Sequence, residues 1–189
     1  TLAKPLKVEL REIALKNKPA EMLAVSPKGT VPVLVLESGE VIEESRELMD
    51  WALAHNDPDG WQDDHAIAWL DACDGEFKHW LDRYKYADRF PEQSEEYYRS
   101  QGEQFLAKLE KKLAENTFIL GETISIADVG IFPFVRQFAF VNKAWFDAQT
   151  AYPHVQRWLQ LWLDSALFES VMHKYAPWQA GDEALEFPV

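Results

Sequence analysis

The chain has 189 residues, 47% of them hydrophobic and 27% charged, with 32 acidic against 19 basic side chains and a formal net charge of -13. That is the composition of a folded protein rather than a disordered or fibrous one, and its charge repels phosphate backbones, which argues against a nucleic-acid partner. A single cysteine excludes an internal disulfide framework and any multi-cysteine metal site and suits a reducing cytoplasm, while no apolar run reaches the ~18 residues that span a bilayer, so no membrane partner is expected.

No signal peptide is visible, although the chain begins with Thr1 and not with Met. Leu6 to Ile13 alternates, with Leu6, Val8 and Leu10 on one face and Lys7, Glu9 and Arg11 on the other, the pattern of a half-buried strand. Pro19 to Val25 can form one or two helical turns with proline at the start. Ser26-Pro27-Lys28-Gly29 is a turn. Val31 to Leu36 is an apolar, β-branched strand, and Val41-Ile42 pairs back on it as a hairpin across Glu37-Ser38-Gly39-Glu40. Ser45 can cap a helix from Arg46 to about Ala54.

The turn formers Asn56-Asp57-Pro58-Asp59-Gly60 mark a linker, and the pattern after it is helical almost to the end. From near Asp63, Trp69, Cys73, Phe77, Trp80 or Leu81, and Tyr84 recur at spacings of three and four and share a face. Gln93 to Ala114 carries Phe105, Leu106, Leu109 and Leu113 on another helix. Ile124-Ser125-Ile126-Ala127-Asp128-Val129 is a capping box with a hydrophobic staple. It opens a third helix, which Pro133 should kink. Helices near Tyr152 to Leu163 and Leu167 to Tyr175 follow. The expected fold is an α/β unit over residues 1–56 followed by an all-helical unit over residues 57–189.

Three features carry chemistry. Proline at the head of a core strand cannot donate to a ladder. A cis Val31–Pro32 bond in a turn would present the N–H and C=O of Val31 to an extended peptide; a trans proline at an edge strand is the plainer alternative. Glu43-Glu44-Ser45 precedes a helix whose free N–H groups attract a carboxylate, with Glu44 placed to attract an ammonium; a capped surface helix would look the same. Lys18 is a point charge able to receive a second carboxylate. In that order the three fit a short peptide with a carboxylate at each end and an ammonium at one. Cys73, on an aromatic stripe, reads as a small core hydrophobe rather than a nucleophile. His55, His65, His79, His154 and His173 show no i, i+4 pair, so no metal is expected.

The runs Leu15-Lys16-Asn17-Lys18-Pro19-Ala20-Glu21, Ser26-Pro27-Lys28-Gly29-Thr30-Val31-Pro32-Val33-Leu34 and Ile42-Glu43-Glu44-Ser45 resemble the thioredoxin-like half of a glutathione transferase. Lys-Asn-Lys-Pro resembles the omega class in particular, and Ser125-Ile126-Ala127-Asp128 resembles the capping box of that family's helical domain. The resemblance implies glutathione as co-substrate. Lys18 would meet its glycyl carboxylate, Val31 before cis-Pro32 its cysteinyl backbone, Glu44 its γ-glutamyl ammonium, and Ser45 with its helix start its γ-glutamyl carboxylate.

The family's first strand and helix, and the loop that bears its catalytic Cys, Ser or Tyr, have no counterpart here, so the catalytic residue is expected upstream of Thr1. A sheet lacking that strand would expose a long edge. The second substrate, an electrophile or a mixed disulfide, is expected between the domains, with Tyr84, Tyr86 and Arg136 as weak candidates. A cytoplasmic homodimer is expected from the same resemblance. The main reading is thiol transfer, deglutathionylation or conjugation. The alternative is a non-catalytic protein of this fold that acts through protein contacts. A translation-factor appendage is a further option, against which the lack of a visible linker counts.

Overall fold

The alternation at the start of the chain condenses to a short strand, β1 (Val8–Leu10), in which Val8 and Leu10 are half-buried and Glu9 is exposed. The computed structural model describes residues 6–188, in two units: the residues up to Asp59 with those from His173 on, and Gly60–Met172. Thus the sequence division near residue 57 sets everything beyond it with the helices, whereas the residues from His173 on pack in the first unit.

The first unit continues with α1 (Ala20–Val25), β2 (Leu34–Val35), β3 (Val41–Ile42) and α2 (Ser45–His55). The hairpin forms in the expected place, with Leu34 opposite Ile42 and Val35 opposite Val41. Gly39 takes a positive φ of 87° at its tip, a conformation open to glycine without steric cost. The ladder starts at Leu34 and not at Val31, so Pro32 stands ahead of it and deprives it of no donor. The Val31–Pro32 bond is cis. β1 is paired antiparallel with β4 (Leu185–Phe187), Val8 lying opposite Phe187 and Leu10 opposite Leu185. Lys7 and Glu186 form an ion pair beside this ladder, 2.6 Å apart. A three-residue strand so far along the chain gives no periodic signal that would separate it from a loop.

In the second unit the aromatic stripe runs through α3 (Ala66–Ala72), a π-helical turn (Cys73–Phe77) and α4 (Lys78–Lys85). The extra residue of the π-turn keeps Leu70, Cys73, Phe77, Leu81 and Tyr84 all buried, and it is Leu81 rather than Trp80 that faces the core. α5 (Glu95–Glu115) starts at Ser94, whose hydroxyl accepts from the N–H of Tyr97. α6 (Ile126–Val141) runs through Pro133 as one element. α7 (Lys143–Asp147), α8 (Pro153–Leu163) and α9 (Ala166–Val171) complete the unit. Phe77 stacks on Phe105 at 4.5 Å and tilts against Phe138 at 5.6 Å, so three helical segments share one aromatic cluster. Glu110 of α5 accepts from the N–H groups of His154 and Val155, capping α8 from a neighbouring helix.

The Ser125 capping box forms, and the side chain of Asp128 does more than close it. It is fully buried. One oxygen accepts from the N–H of Ile119 and the indole of Trp158, both at 2.9 Å. The other accepts from the N–H of Ser125 at 3.1 Å and from its hydroxyl at 2.8 Å. The carboxylate therefore ties a loop, a helix start and α8 together. Removing it strands buried donors at about 1–3 kcal/mol each. Asp128→Ala is expected to cost about 3 kcal/mol or more of unfolding free energy in urea denaturation; a loss under about 1 kcal/mol would make the network dispensable.

Gly102 of α5 lies against α6: a Cβ there would stand 2.5 Å from Cε2 of Phe138, whose ring is itself fully buried. In an exposed helix Gly→Ala gains about 1 kcal/mol, but this contact reverses the sign. Gly102→Ala is expected to destabilise by about 1–3 kcal/mol, read as a fall in melting temperature; a rise would show that the ring can move aside.

Candidate functional site

The turn Ser26–Gly29 organises the first unit. Ser26 ends α1, its N–H donating to the carbonyl of Met22, and its fully buried hydroxyl donates to the carboxylate of Glu43. Buried hydroxyls need such a partner, and this one ties the turn to the residues just ahead of α2. Two positions on, Lys28 donates to Glu44 at 3.0 Å. That hydrogen bond raises the Lys28 pKa. Both members of the pair are well exposed, so it contributes little and exchanges readily.

Gly29 has a φ of +62°. A Cβ on it would stand 3.2 Å from Leu23 Cδ2 and 3.5 Å from Lys18 Nζ. Glycine here meets the left-handed backbone and leaves room for the Lys18 ammonium. The turn therefore has Lys18 against one residue and Glu44 against another, and Val31 stands two residues beyond its end.

Val31 is 48% exposed, and among the described residues its backbone N–H and C=O have no hydrogen-bond partner. Lys18 is half-buried in a cleft of about 290 Å³ lined by Ile13, Asn17, Glu21, Trp178 and Gln179. Among the described residues its ammonium has neither an ion pair nor a hydrogen bond. Ser45 corrects one expectation. It is the first residue of α2 and not its cap; Glu44 holds the cap position, and its own side chain makes no capping hydrogen bond. A serine directly after an extended glutamate serves as well at the first helical position as at the cap, and the sequence does not separate the two.

The second-substrate candidates lie in the helical unit and differ in kind. Tyr84 is 1% exposed, its ring 4.9 Å from that of Phe138, and burial raises its phenol pKa. It is part of the core packing and offers no surface to a ligand. The Tyr86 ring carries Lys85 at 5.0 Å and Arg89 at 4.4 Å. Arg136 lies over Phe140 and Phe168 at 5.0 and 5.3 Å. Among the described residues no group of three or more His, Cys, Asp or Glu side chains could hold a metal ion, and no helix is long and apolar enough to cross a membrane. The expected catalytic residue, upstream of Thr1, lies outside the described residues.

Sequence reasoning missed Glu43 as the anchor of the turn, Lys28 as the partner of Glu44, and the tail residues Trp178 and Gln179 in the wall around Lys18. The Ser-Pro-Lys-Gly turn signals itself; its partners 16 and 17 residues away do not. Cys73 is buried, and desolvation, with a smaller contribution from the charge of Asp74, pushes its thiol pKa far up. It is expected to resist an aromatic disulfide reagent in the native protein and to react in denaturant; rapid native labelling would show a thiolate this packing forbids.

Residues 2–60 match the family model of the glutathione S-transferase N-terminal domain, and residues 78–161 that of the C-terminal domain. The chain is similar to elongation factor 1-gamma of Drosophila melanogaster, 26% identical over 84% of this chain and 38% of that protein. It is similar also to the Arabidopsis thaliana protein named "Probable elongation factor 1-gamma 2", 30% identical over 85% of this chain and 41% of that protein. The chain thus spans about two fifths of the curated relatives it matches. Among solved structures, a glutathione transferase of Phanerochaete chrysosporium in complex with oxidised glutathione superposes with a TM-score of 0.68 at 18% identity, covering 81% of this chain and 76% of that one. One from Burkholderia graminis, with two glutathione molecules bound per subunit, gives 0.62 at 23%, covering 80% and 70%. At those identities the likeness establishes the fold: a thioredoxin-like first domain and a helical second one.

Proposed function

We propose that this chain, which belongs to the glutathione S-transferase family, binds glutathione in its first unit and serves glutathione-dependent thiol transfer or conjugation. The observation that carries the reading is the exposed Val31, whose two backbone groups stand free beside a turn that contacts Lys18 and Glu44. An extended peptide pairing with those groups adds like a strand. Its glycyl carboxylate is received by Lys18, a cation without a partner among the described residues. Its γ-glutamyl carboxylate lies at the start of α2, at Ser45, where helix N–H groups and dipole favour an anion. Its ammonium takes the place of Lys28 on Glu44, an exchange that an exposed, weak pair permits.

The residues named here bind and orient. The nucleophile that would attack a disulfide sulfur or an electrophilic carbon lies upstream of Thr1 in this reading. A cysteine there favours thiol transfer, in keeping with the Lys-Asn-Lys-Pro stretch and the omega class; a serine or tyrosine favours conjugation. A cytoplasmic homodimer is part of the same reading.

The likeness to elongation factor 1-gamma favours a second reading, in which the fold acts through protein contacts and glutathione binding is secondary or lost. Immobilised glutathione separates the two. The first requires retention and elution by free ligand. Lys18→Ala and Glu44→Ala are each expected to weaken binding about tenfold or more, the worth of one hydrogen bond to a charged group. Failure of the full-length protein to bind glutathione favours the second.

A further inference from the structure

Lys28 is fixed at its backbone and free at its tip. The turn that carries it is closed by the N–H of Gly29, which donates to the carbonyl of Ser26 at 2.9 Å, and is anchored by the buried Ser26 hydroxyl on Glu43. The Lys28 side chain is 57% exposed, and its ammonium donates to Oε1 of Glu44 at 3.0 Å. The charges of Glu43 and Glu47 act on it as well, and Glu47 lies in the first turn of α2. Three carboxylates thus surround the start of α2, and Lys28 is the cation that answers them from outside the helix. Arg46, in the same first turn, faces Asp50 of its own helix at 3.9 Å.

An α-amino-acid head carries its ammonium and its carboxylate on one carbon. When the ammonium takes Glu44, the carboxylate comes to rest close by, near Glu43, Glu44 and Glu47. A helix start attracts an anion with about half an elementary charge, less than any one of those carboxylates opposes to it. A lysine ammonium on a flexible four-carbon stem makes up the difference: once displaced from Glu44 it needs only a small movement to reach the incoming carboxylate. The charges then alternate, from Glu44 to the ligand ammonium, to the ligand carboxylate, to Lys28. We propose that Lys28 is a specificity-determining residue of the site: on binding, its ammonium passes from Glu44 to the α-carboxylate of the ligand, so that the site selects thiol peptides whose γ-glutamyl head carries both charges. The assignment rests on the placing of that head at Glu44 and Ser45, and adds to it the side chain that receives the carboxylate. A lysine that merely occupied Glu44 would compete with the ligand, and its loss would have the opposite effect.

Two thiol peptides, each lacking one carboxylate of glutathione, separate these cases. The amide γ-glutamyl-cysteinyl-glycinamide keeps the α-carboxylate, and γ-aminobutyryl-cysteinyl-glycine lacks it. Both are neutral overall, so a general effect of deleting a cation falls on them equally. Their affinities and that of glutathione are measured by titration calorimetry on the full-length protein, Lys28→Ala and Lys28→Arg, with circular dichroism as the check on folding. Lys28→Ala is expected to weaken glutathione and the glycinamide about three- to fivefold, the upper range for an exposed ion pair. The aminobutyryl peptide is expected to bind the same variant as well as before or more tightly, since Glu44 has lost its internal partner. Lys28→Arg is expected to hold all three within about twofold of the unaltered protein. Tighter glutathione binding by Lys28→Ala, or the same change for both analogues, overturns the inference while leaving the glutathione reading intact; absence of glutathione binding by the unaltered protein overturns both.

Discussion

The helical unit depends on one buried carboxylate. Asp128 has no contact with solvent, and a lone charge so placed would be strongly unfavourable. It is retained because four donors converge on it: the Ile119 N–H, the Trp158 indole, and the N–H and hydroxyl of Ser125. The convergence works in both directions. The donors stabilise the charge, and the charge fixes where the loop before α6, the first turn of α6 and the middle of α8 stand relative to one another. The aromatic cluster of Phe77, Phe105 and Phe138 then packs on helices whose positions are already constrained. Its tolerance is small enough that Gly102 has no space for a single added carbon.

The first unit solves a different problem with weaker means. Its strands are two and three residues long, too short for the ladders alone to hold it. Order comes from the Ser26–Gly29 turn, anchored through the buried Ser26 hydroxyl on Glu43. The backbone of Val31 and the Lys18 ammonium, neither partnered among the described residues, lie near it.

Much of this was legible in the sequence, and the part that was not has a common cause. The hairpin at Val31 to Ile42, the helix after Glu44, and the capping box at Ser125 and Asp128 rest on residues within a few positions of one another, where periodicity, turn chemistry and capping rules operate. The nomination of Lys18, Val31 and Glu44-Ser45 as ligand contacts rests on residue types in that order and on a family resemblance, and it belongs to the proposal. The misreading of Ser45 as the cap is a one-residue shift at a helix boundary, where side-chain chemistry is nearly degenerate. Tyr84 was legible as part of an apolar stripe, but a stripe does not tell a buried phenol from one at a rim.

The sequence by itself determined the class of each half, the capped helix that anchors the second, and the residue types on offer to a ligand, because these follow from neighbours along the chain. Only the tertiary structure decided that Asp128 would gather donors from Ile119 and Trp158, that Glu43 would hold Ser26, and that β4 would return to pair with β1 and set Trp178 in the wall beside Lys18. Those are meetings of residues separated by as many as 179 positions. No local rule encodes them, since a donor or an edge strand specifies the chemistry of its partner and not its address.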